Sequence, residues 1–348
     1  MKKNNYSIYK IAWFTDKLMS FITNKVTAPI CIRIKPTNRC CHNCYFCVYN
    51  SKFSAMHETT KRSDEIPIEK MLEILNNIAD IGVKTVTLSG GGEPLVHPNI
   101  DKILDKILSR KLGLSMLTNG QKITDTISDY LVNADWIRIS MDYYSPQSFL
   151  SSGRGTVHSY NELCTNVKNF VLKNKNCEIG VNFVITKDNY SHLEDSIKFI
   201  IDLGIHNVRY APVWITNFYE YHSLIQKEVL EGLSKIRTLY GDKIDIYDSY
   251  NISGITNKRT YSKCYFQQVV PVIGADLNVY SCHNKAYSKD GVIGSIKDRS
   301  FSDLWFSNKV REHFNTFNPV EHCNHQCAND KKNIFLHELI DCYGDNYV

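Results

Sequence analysis

Apolar positions along this chain switch repeatedly between two periods. Over Ile68 to Ile81, Asn99 to Ser109, Asp125 to Val132, Ser159 to Leu172, Ser191 to Leu203 and Leu224 to Tyr240 they recur every three or four residues, the spacing of a helix with one buried face. Between these stretches lie short runs rich in β-branched residues: Ile30 to Ile34, Thr85 to Leu88, Leu114 to Thr118, Trp136 to Met141, Ile179 to Ile185 and Val208 to Val213. Strands separated by helices need crossover connections, so the pattern predicts a parallel sheet of right-handed βαβ units, buried on both faces. Six such units from Ile30 to about Tyr240 suit a partial α/β barrel. Its chemistry is expected in the loops at the C-terminal ends of the strands.

The flanks read differently. From Tyr6 to Thr23, Ile8, Ile11, Phe14, Leu18, Phe21 and Ile22 fall at helical spacing, which predicts a helix packed on the body. Beyond Tyr247 the segment Asp248 to Tyr261 is polar and rich in Ser and Asn. Val269 to Ile273 and Asn278 to Ser281 then predict a β-hairpin, and Ser302 to Phe314 a helix. The expected organisation is a helical extension over 1–29, an α/β barrel over 30–248 and a small α+β module over 249–348.

Composition narrows the function classes. The 348 residues are 43% hydrophobic and 22% charged, enough to bury sizeable cores, and no run of about 18 apolar residues predicts a membrane span. With 41 Lys and Arg against 36 Asp and Glu, the chain lacks the basic excess of a nucleic-acid surface. Asp16 and Lys17 interrupt the N-terminal apolar residues and no cleavage site follows, which points to the cytoplasm. There, the twelve cysteines, several at gaps of two or three, read as metal ligands rather than disulfides.

Cys40, Cys44 and Cys47 form C-x3-C-x2-C directly after the first strand, and Cys41 leaves a C-x2-C-x2-C register as the lesser alternative. Three thiolates on one loop can hold three irons of a cubane and leave the fourth open to a ligand. After the second strand comes Ser-Gly-Gly-Gly-Glu-Pro, in which Gly91 and Gly92 permit close backbone approach and Glu93 offers a carboxylate to an ammonium group.

On these two motifs the sequence resembles the radical S-adenosylmethionine (radical SAM) superfamily, with Phe46 as the aromatic before the last cysteine and Gly91-Gly92-Glu93-Pro94 after the next strand. The resemblance implies a partial (β/α)6 TIM-like barrel, a 4Fe-4S cluster on Cys40, Cys44 and Cys47, and SAM on its open iron. It implies that Glu93 receives the SAM amine, that Phe46 lies near the adenine, that Ser140 and Arg154 contact the carboxylate, and that Asn119 assists. The tail resembles the SPASM and twitch extensions of the same superfamily. That likeness implies a second, auxiliary 4Fe-4S cluster on Cys264, Cys282, Cys323 and Cys327, with Cys342 the alternative fourth ligand.

The resemblance further implies reduction by a flavodoxin- or ferredoxin-type donor, cleavage of SAM to a 5′-deoxyadenosyl radical and hydrogen abstraction from an unactivated C–H bond. The expected substrate is a sugar, aminocyclitol or nucleoside-like small molecule that is dehydrogenated, because fewer than about 30 residues precede the first strand, too few for a leader-binding domain. Epimerisation, maturation of a ribosomally made peptide and a non-catalytic metal protein are the alternatives. In the dehydrogenase reading His283, directly after Cys282, is the expected proton acceptor.

Overall fold

Face by face, the strands sort apolar from polar residues. In the computed structural model, which describes residues 7–49, 57–250, 259–323 and 327–344, β1 (Cys31–Ile34) buries Ile32 and Ile34 under the surrounding helices. Successive side chains alternate across a strand, so Cys31 and Arg33 face the other way. The next strands, β2 (Thr85–Leu88), β3 (Gly113–Thr118), β4 (Trp136–Ser140), β5 (Glu178–Ile185), β6 (Asn207–Pro212) and β7 (Asp245–Asp248), all run parallel to their neighbours in that order. Val86, Leu88, Leu114, Met116, Ile137, Ile139, Val181, Phe183, Val208 and Tyr210 join the helix-facing core. The opposite, concave face is polar: Cys31 Sγ lies 3.4 Å from Thr87 Oγ1, and Thr87 Oγ1 lies 2.8 Å from Ser115 Oγ.

Amphipathic helices return the chain between strands, among them Ile68–Asp80, Ile100–Ser109, Val157–Lys173, Leu193–Asp202 and Gln226–Tyr240. This is the expected α/β class with its parallel, partial-barrel sheet. The seventh strand lies outside the six-unit expectation, because Asp245–Asp248 is a half-buried edge whose composition carries little apolar signal.

The C-terminal segment adds to this sheet rather than building its own. β8 (Val272–Ile273) pairs parallel with β1, Arg33 opposite Val272, and continues through antiparallel β9 (Asn278–Tyr280) to β10 (Val292–Ser295). The result is one ten-stranded sheet in the order β10-β9-β8-β1-β2-β3-β4-β5-β6-β7. Ile273 and Val279 bury themselves in the main core, which gives the hairpin a partner for its apolar face.

Two predicted helices are broken. Ser302 to Phe314 is divided into Phe301–Trp305 and Asn308–Thr316, because Ser307 accepts from the Val310 N–H and starts a new helix at that point. The N-terminal stretch is a 3₁₀ turn over Ile8–Trp13 followed by a helix over Thr15–Ile22, packed on Tyr265, Val269 and Leu336; Tyr6 lies outside the described residues. Among the described residues no helix is long and apolar enough to cross a membrane.

Candidate active site and its thiol sets

The cysteine loop sits over the C-terminal ends of the first strands, clamped by two glycine segments. Gly92 packs so close to the loop that a Cβ there would lie 1.9 Å from the Arg39 carbonyl oxygen, and the Glu93 N–H donates to that same carbonyl at 2.8 Å. Gly153, at φ +81°, accepts from the Asn43 N–H at 2.9 Å, and a Cβ there would meet the Asn43 carbonyl at 2.4 Å. Gly91 lies against Asn38, whose Oδ1 also accepts from the Tyr287 hydroxyl at 2.6 Å. Cys40, Cys44 and Cys47 are half-buried on this loop, while Cys41 is exposed.

Glu93 is buried and held by three donors: Leu95 N–H at 3.0 Å and Thr118 hydroxyl at 2.7 Å on Oε1, and Asn119 N–H at 2.6 Å on Oε2. Burial nevertheless pushes its pKa up to about 7. Asn119 links the acid to the thiols, its Nδ2 donating to Cys41 Sγ at 3.3 Å. Arg154 is buried in an ion pair with Asp142, and its Nη1 lies 3.2 Å from His42 Nδ1. Burial pulls the Arg154 pKa down, but Asp142, Cys44 and Tyr143 reverse that and hold it above its ordinary value. Its guanidinium carbon lies 6.0 Å from the Phe46 ring centre, and Ser140 ends β4 half-buried on the concave side.

A second thiol set lies at the hairpin end of the sheet. Burial pushes the Cys264 thiol up first, and Cys327, Cys282 and Cys323 each push it further, so the four thiols lie within mutual electrostatic reach. Cys323 is raised to about 11 and Cys327 to about 12 by burial, with Cys282 adding to both. Asn333 Nδ2 donates to Cys264 Sγ and the Asn329 N–H to Cys327 Sγ, each at 3.4 Å. Cys342 is exposed at the far end of the helix Asp330–Asp341. This geometry favours Cys327 as the fourth member.

His283 opens the short turn His283–Lys285 directly after Cys282, within electrostatic reach of Arg33, Lys35 and His57. Burial, then the positive charges of Arg33, Lys35 and His57, hold its pKa well below the usual histidine value, so the ring is neutral near pH 7. Among the described residues no three His, Cys, Asp or Glu side chains converge on a single metal ion. Both groups are sets of thiols alone, the donor chemistry of iron–sulfur clusters, and both fit the cluster expected of them.

The profile of the Radical SAM superfamily matches residues 34–200, and that of SPASM, an iron-sulfur cluster-binding domain, matches residues 264–328. This chain carries a radical SAM domain followed by a SPASM domain. The two domains bring SAM and 4Fe-4S clusters as its cofactors. The probable GTP 3',8-cyclase of Sulfurisphaera tokodaii is 24% identical over 83% of this chain and 88% of its own length. The S-adenosylmethionine-dependent nucleotide dehydratase of Flammeovirga pacifica is 28% identical over 47% of this chain and 55% of its own. In fold the chain is similar to Streptococcus suis SuiB bound to precursor peptide SuiA, with a TM-score of 0.65 at 16% identity, covering 94% of this chain and 79% of that one.

Three residues of this radical SAM site escaped the motif reading. Asp142 closes the run Arg138-Ile-Ser-Met-Asp142 and is the counter-charge of Arg154. Arg33 and Lys35 carry a visible signal, two cations at alternate positions of an otherwise apolar strand, but only the fold shows which face they take.

Glu93→Gln keeps the shape but removes the charge that an ammonium group needs, so SAM binding is expected to weaken by about 1.5–3 kcal/mol. Because the carboxylate forms as pH rises through about 7, wild-type affinity for SAM should increase from roughly pH 6 to 8 and the variant's should stay flat. Equilibrium dialysis with labelled SAM checks both; a flat wild-type profile with unchanged affinity in the variant would remove Glu93 from the site.

Proposed function

We propose that this chain cleaves SAM reductively and oxidises a sugar, aminocyclitol or nucleoside-like small molecule at an unactivated C–H bond. One observation supports the oxidation: His283 stands directly after Cys282, within electrostatic reach of Arg33, Lys35 and His57, whose charges keep its imidazole neutral. Two of the similar proteins carry names that refer to nucleotides, which supports the nucleoside-like end of that range. When bound, the clusters and SAM supply a one-electron cleavage of SAM to methionine and a 5′-deoxyadenosyl radical, hydrogen-atom abstraction by that radical, and a sink for the substrate's second electron.

The chain's own residues do the positioning. Glu93 holds the SAM amine, Ser140 and Arg154 its carboxylate with Asn119 assisting them, and Phe46 lies beside the adenine. Cys40, Cys44 and Cys47 carry the SAM-binding cluster in the barrel (30–248), and Cys264, Cys282, Cys323 and Cys327 the auxiliary one in the C-terminal module (249–348). Oxidising an alcohol or amine carbon releases a proton together with the second electron, and His283 is the base we assign to take it. The electrons arrive from a flavodoxin- or ferredoxin-type donor.

The test is label transfer. Reconstituted protein, SAM and dithionite are incubated with a deuterium-labelled cell extract split by ultrafiltration. Deuterium is expected in 5′-deoxyadenosine from the small-molecule filtrate; transfer from the protein-rich retentate alone would replace this reading with a peptide maturase. With the substrate in hand, His283→Ala should slow product formation about 10²–10⁴-fold while SAM cleavage continues uncoupled. Normal turnover in that variant would favour an epimerase.

A further inference from the structure

Tyr287 stands at φ +59°, a left-handed backbone that glycine adopts freely and a bulky side chain does not. Such a conformation persists where the surroundings hold it in place. Tyr287 is fully buried, and its main chain is tied to the segment that follows the cysteine loop: the Thr59 N–H donates to its carbonyl at 3.0 Å and the Thr59 hydroxyl at 2.8 Å. One residue earlier, the Ala286 carbonyl lies 2.6 Å from His57 Nδ1. Cys282 comes just before, across the short turn His283–Lys285.

The side chain reaches from the C-terminal module to the glycine turn of the barrel. A Cβ added at Gly91 would lie 3.1 Å from one ring edge, Cε2, and a Cβ added at Gly274 would lie 3.2 Å from the other, Cε1, so the ring occupies a slot between two glycines. Its hydroxyl donates to Asn38 Oδ1 at 2.6 Å and accepts from the Ala275 N–H at 2.9 Å. Asn38 is itself fixed: its N–H donates to the Asp64 carbonyl and its Nδ2 to the Lys61 carbonyl, both at 2.9 Å. A Cβ at Gly91 would meet that same Oδ1 at 2.1 Å, so amide and turn are in close contact. Lys35 adds a second link, its ammonium 4.9 Å from the Tyr287 ring centre and 3.4 Å from the Gly90 carbonyl.

We propose that Tyr287 is a positioning residue for SAM: wedged between Gly91 and Gly274 and bonded to Asn38, it sets the Gly90-Gly91-Gly92 turn, so that the C-terminal module tunes how tightly the barrel holds SAM. The contacts of the side chain offset the cost of the left-handed backbone, which a glycine in its place would not incur. Glu93 follows the turn directly, so a shift of the turn carries into its carboxylate. The proposal rests on the reading of Glu93 as the partner of the SAM amine and adds to it the residue that places the turn.

Tyr287→Phe keeps the ring in its slot and removes only the hydroxyl. In anaerobic, cluster-loaded protein without reductant, dialysis against labelled SAM is expected to show affinity weakened about three- to tenfold, the scale of one neutral hydrogen bond. Under dithionite the KM for SAM should rise in step while kcat for its cleavage holds, because the lost contact serves binding and not the bond-breaking step. Tyr280→Phe is the control: this fully buried tyrosine belongs to the same hairpin, but its hydroxyl donates to Asp276 Oδ2 at 2.6 Å rather than toward the glycine turn. It should melt lower, as Tyr287→Phe does, and bind SAM like the parent. Asn38→Ala combined with Tyr287→Phe should bind SAM about as Asn38→Ala does alone, since both break one link.

Parental SAM affinity in Tyr287→Phe, with iron content retained, overturns the proposal. So does an equal loss in Tyr280→Phe, which would mean a general loosening of the module, and so does full additivity with Asn38→Ala. Should Tyr287→Phe lose its iron, Asn38→Ala is read alone against Tyr280→Phe by the same criteria. Wild-type protein that binds no SAM refutes the SAM site as a whole, a failure these variants cannot imitate because each is scored against a binding parent.

Discussion

Alanine at Cys40, Cys44 and Cys47 together is expected to lower 5′-deoxyadenosine formation by at least about 10³-fold, the scale on which loss of an indispensable reactive group collapses a rate. The fold should survive, because the loop's position depends on contacts the thiols do not make: Gly92 against Arg39, Glu93 N–H on the Arg39 carbonyl, and Asn43 on Gly153. The distant thiols are untouched, so the triple variant should keep about four irons per chain on Cys264, Cys282, Cys323 and Cys327. Iron analysis beside a timed cleavage assay separates the two sites. Parental cleavage in the triple variant would move the SAM-binding cluster elsewhere, and loss of all iron would mean the second set does not hold a cluster by itself.

The largest effect on stability is expected at Asp142. Its side chain and that of Arg154 are only 1% and 3% exposed, and they are each other's charge partner. Asp142→Ala leaves a buried guanidinium with, among the described residues, no carboxylate partner, only Cys44, His42 and the Tyr143 and Phe46 rings beside it. Removing one member of a buried pair costs about 3–5 kcal/mol, whereas replacing both by apolar residues is often close to neutral. Anaerobic melting should therefore fall by roughly 6–20 °C in the single variant. Asp142→Leu with Arg154→Met should recover most of that loss while SAM binding stays weak. A single variant that melts like the parent would show that water or SAM, rather than Asp142, balances the arginine.

Much of this was legible in the sequence because short-range patterns carry it. Alternating strand and helix periods set the parallel sheet, and C-x3-C-x2-C with Gly-Gly-Glu-Pro set the first site, since both are spacings within one loop. Contacts between distant segments were less legible. Asp245–Asp248 joined the sheet on the strength of its register with Asn207–Tyr210 and not of its composition. The hairpin read as part of a separate module, but its apolar residues found the open side of β1. Cys342 was the alternative to Cys327 on paper, and it lies exposed at the end of the helix Asp330–Asp341. Arg33 and Lys35 were two unremarked cations until the pairing of β1 between β2 and β8 fixed which way they point.

That pairing also bears on how the chain is made. The N-terminal strand of the barrel, β1, has β8 as one neighbour, roughly 240 positions later in the chain. During synthesis one side of β1 therefore waits, its N–H and C=O groups unmatched, until nearly the whole barrel and the hairpin have left the ribosome. An unmatched strand edge is a template for another chain. Folding of this protein is consequently most exposed to misassembly late in translation, and a version ending before Val272 would keep that hazard permanently.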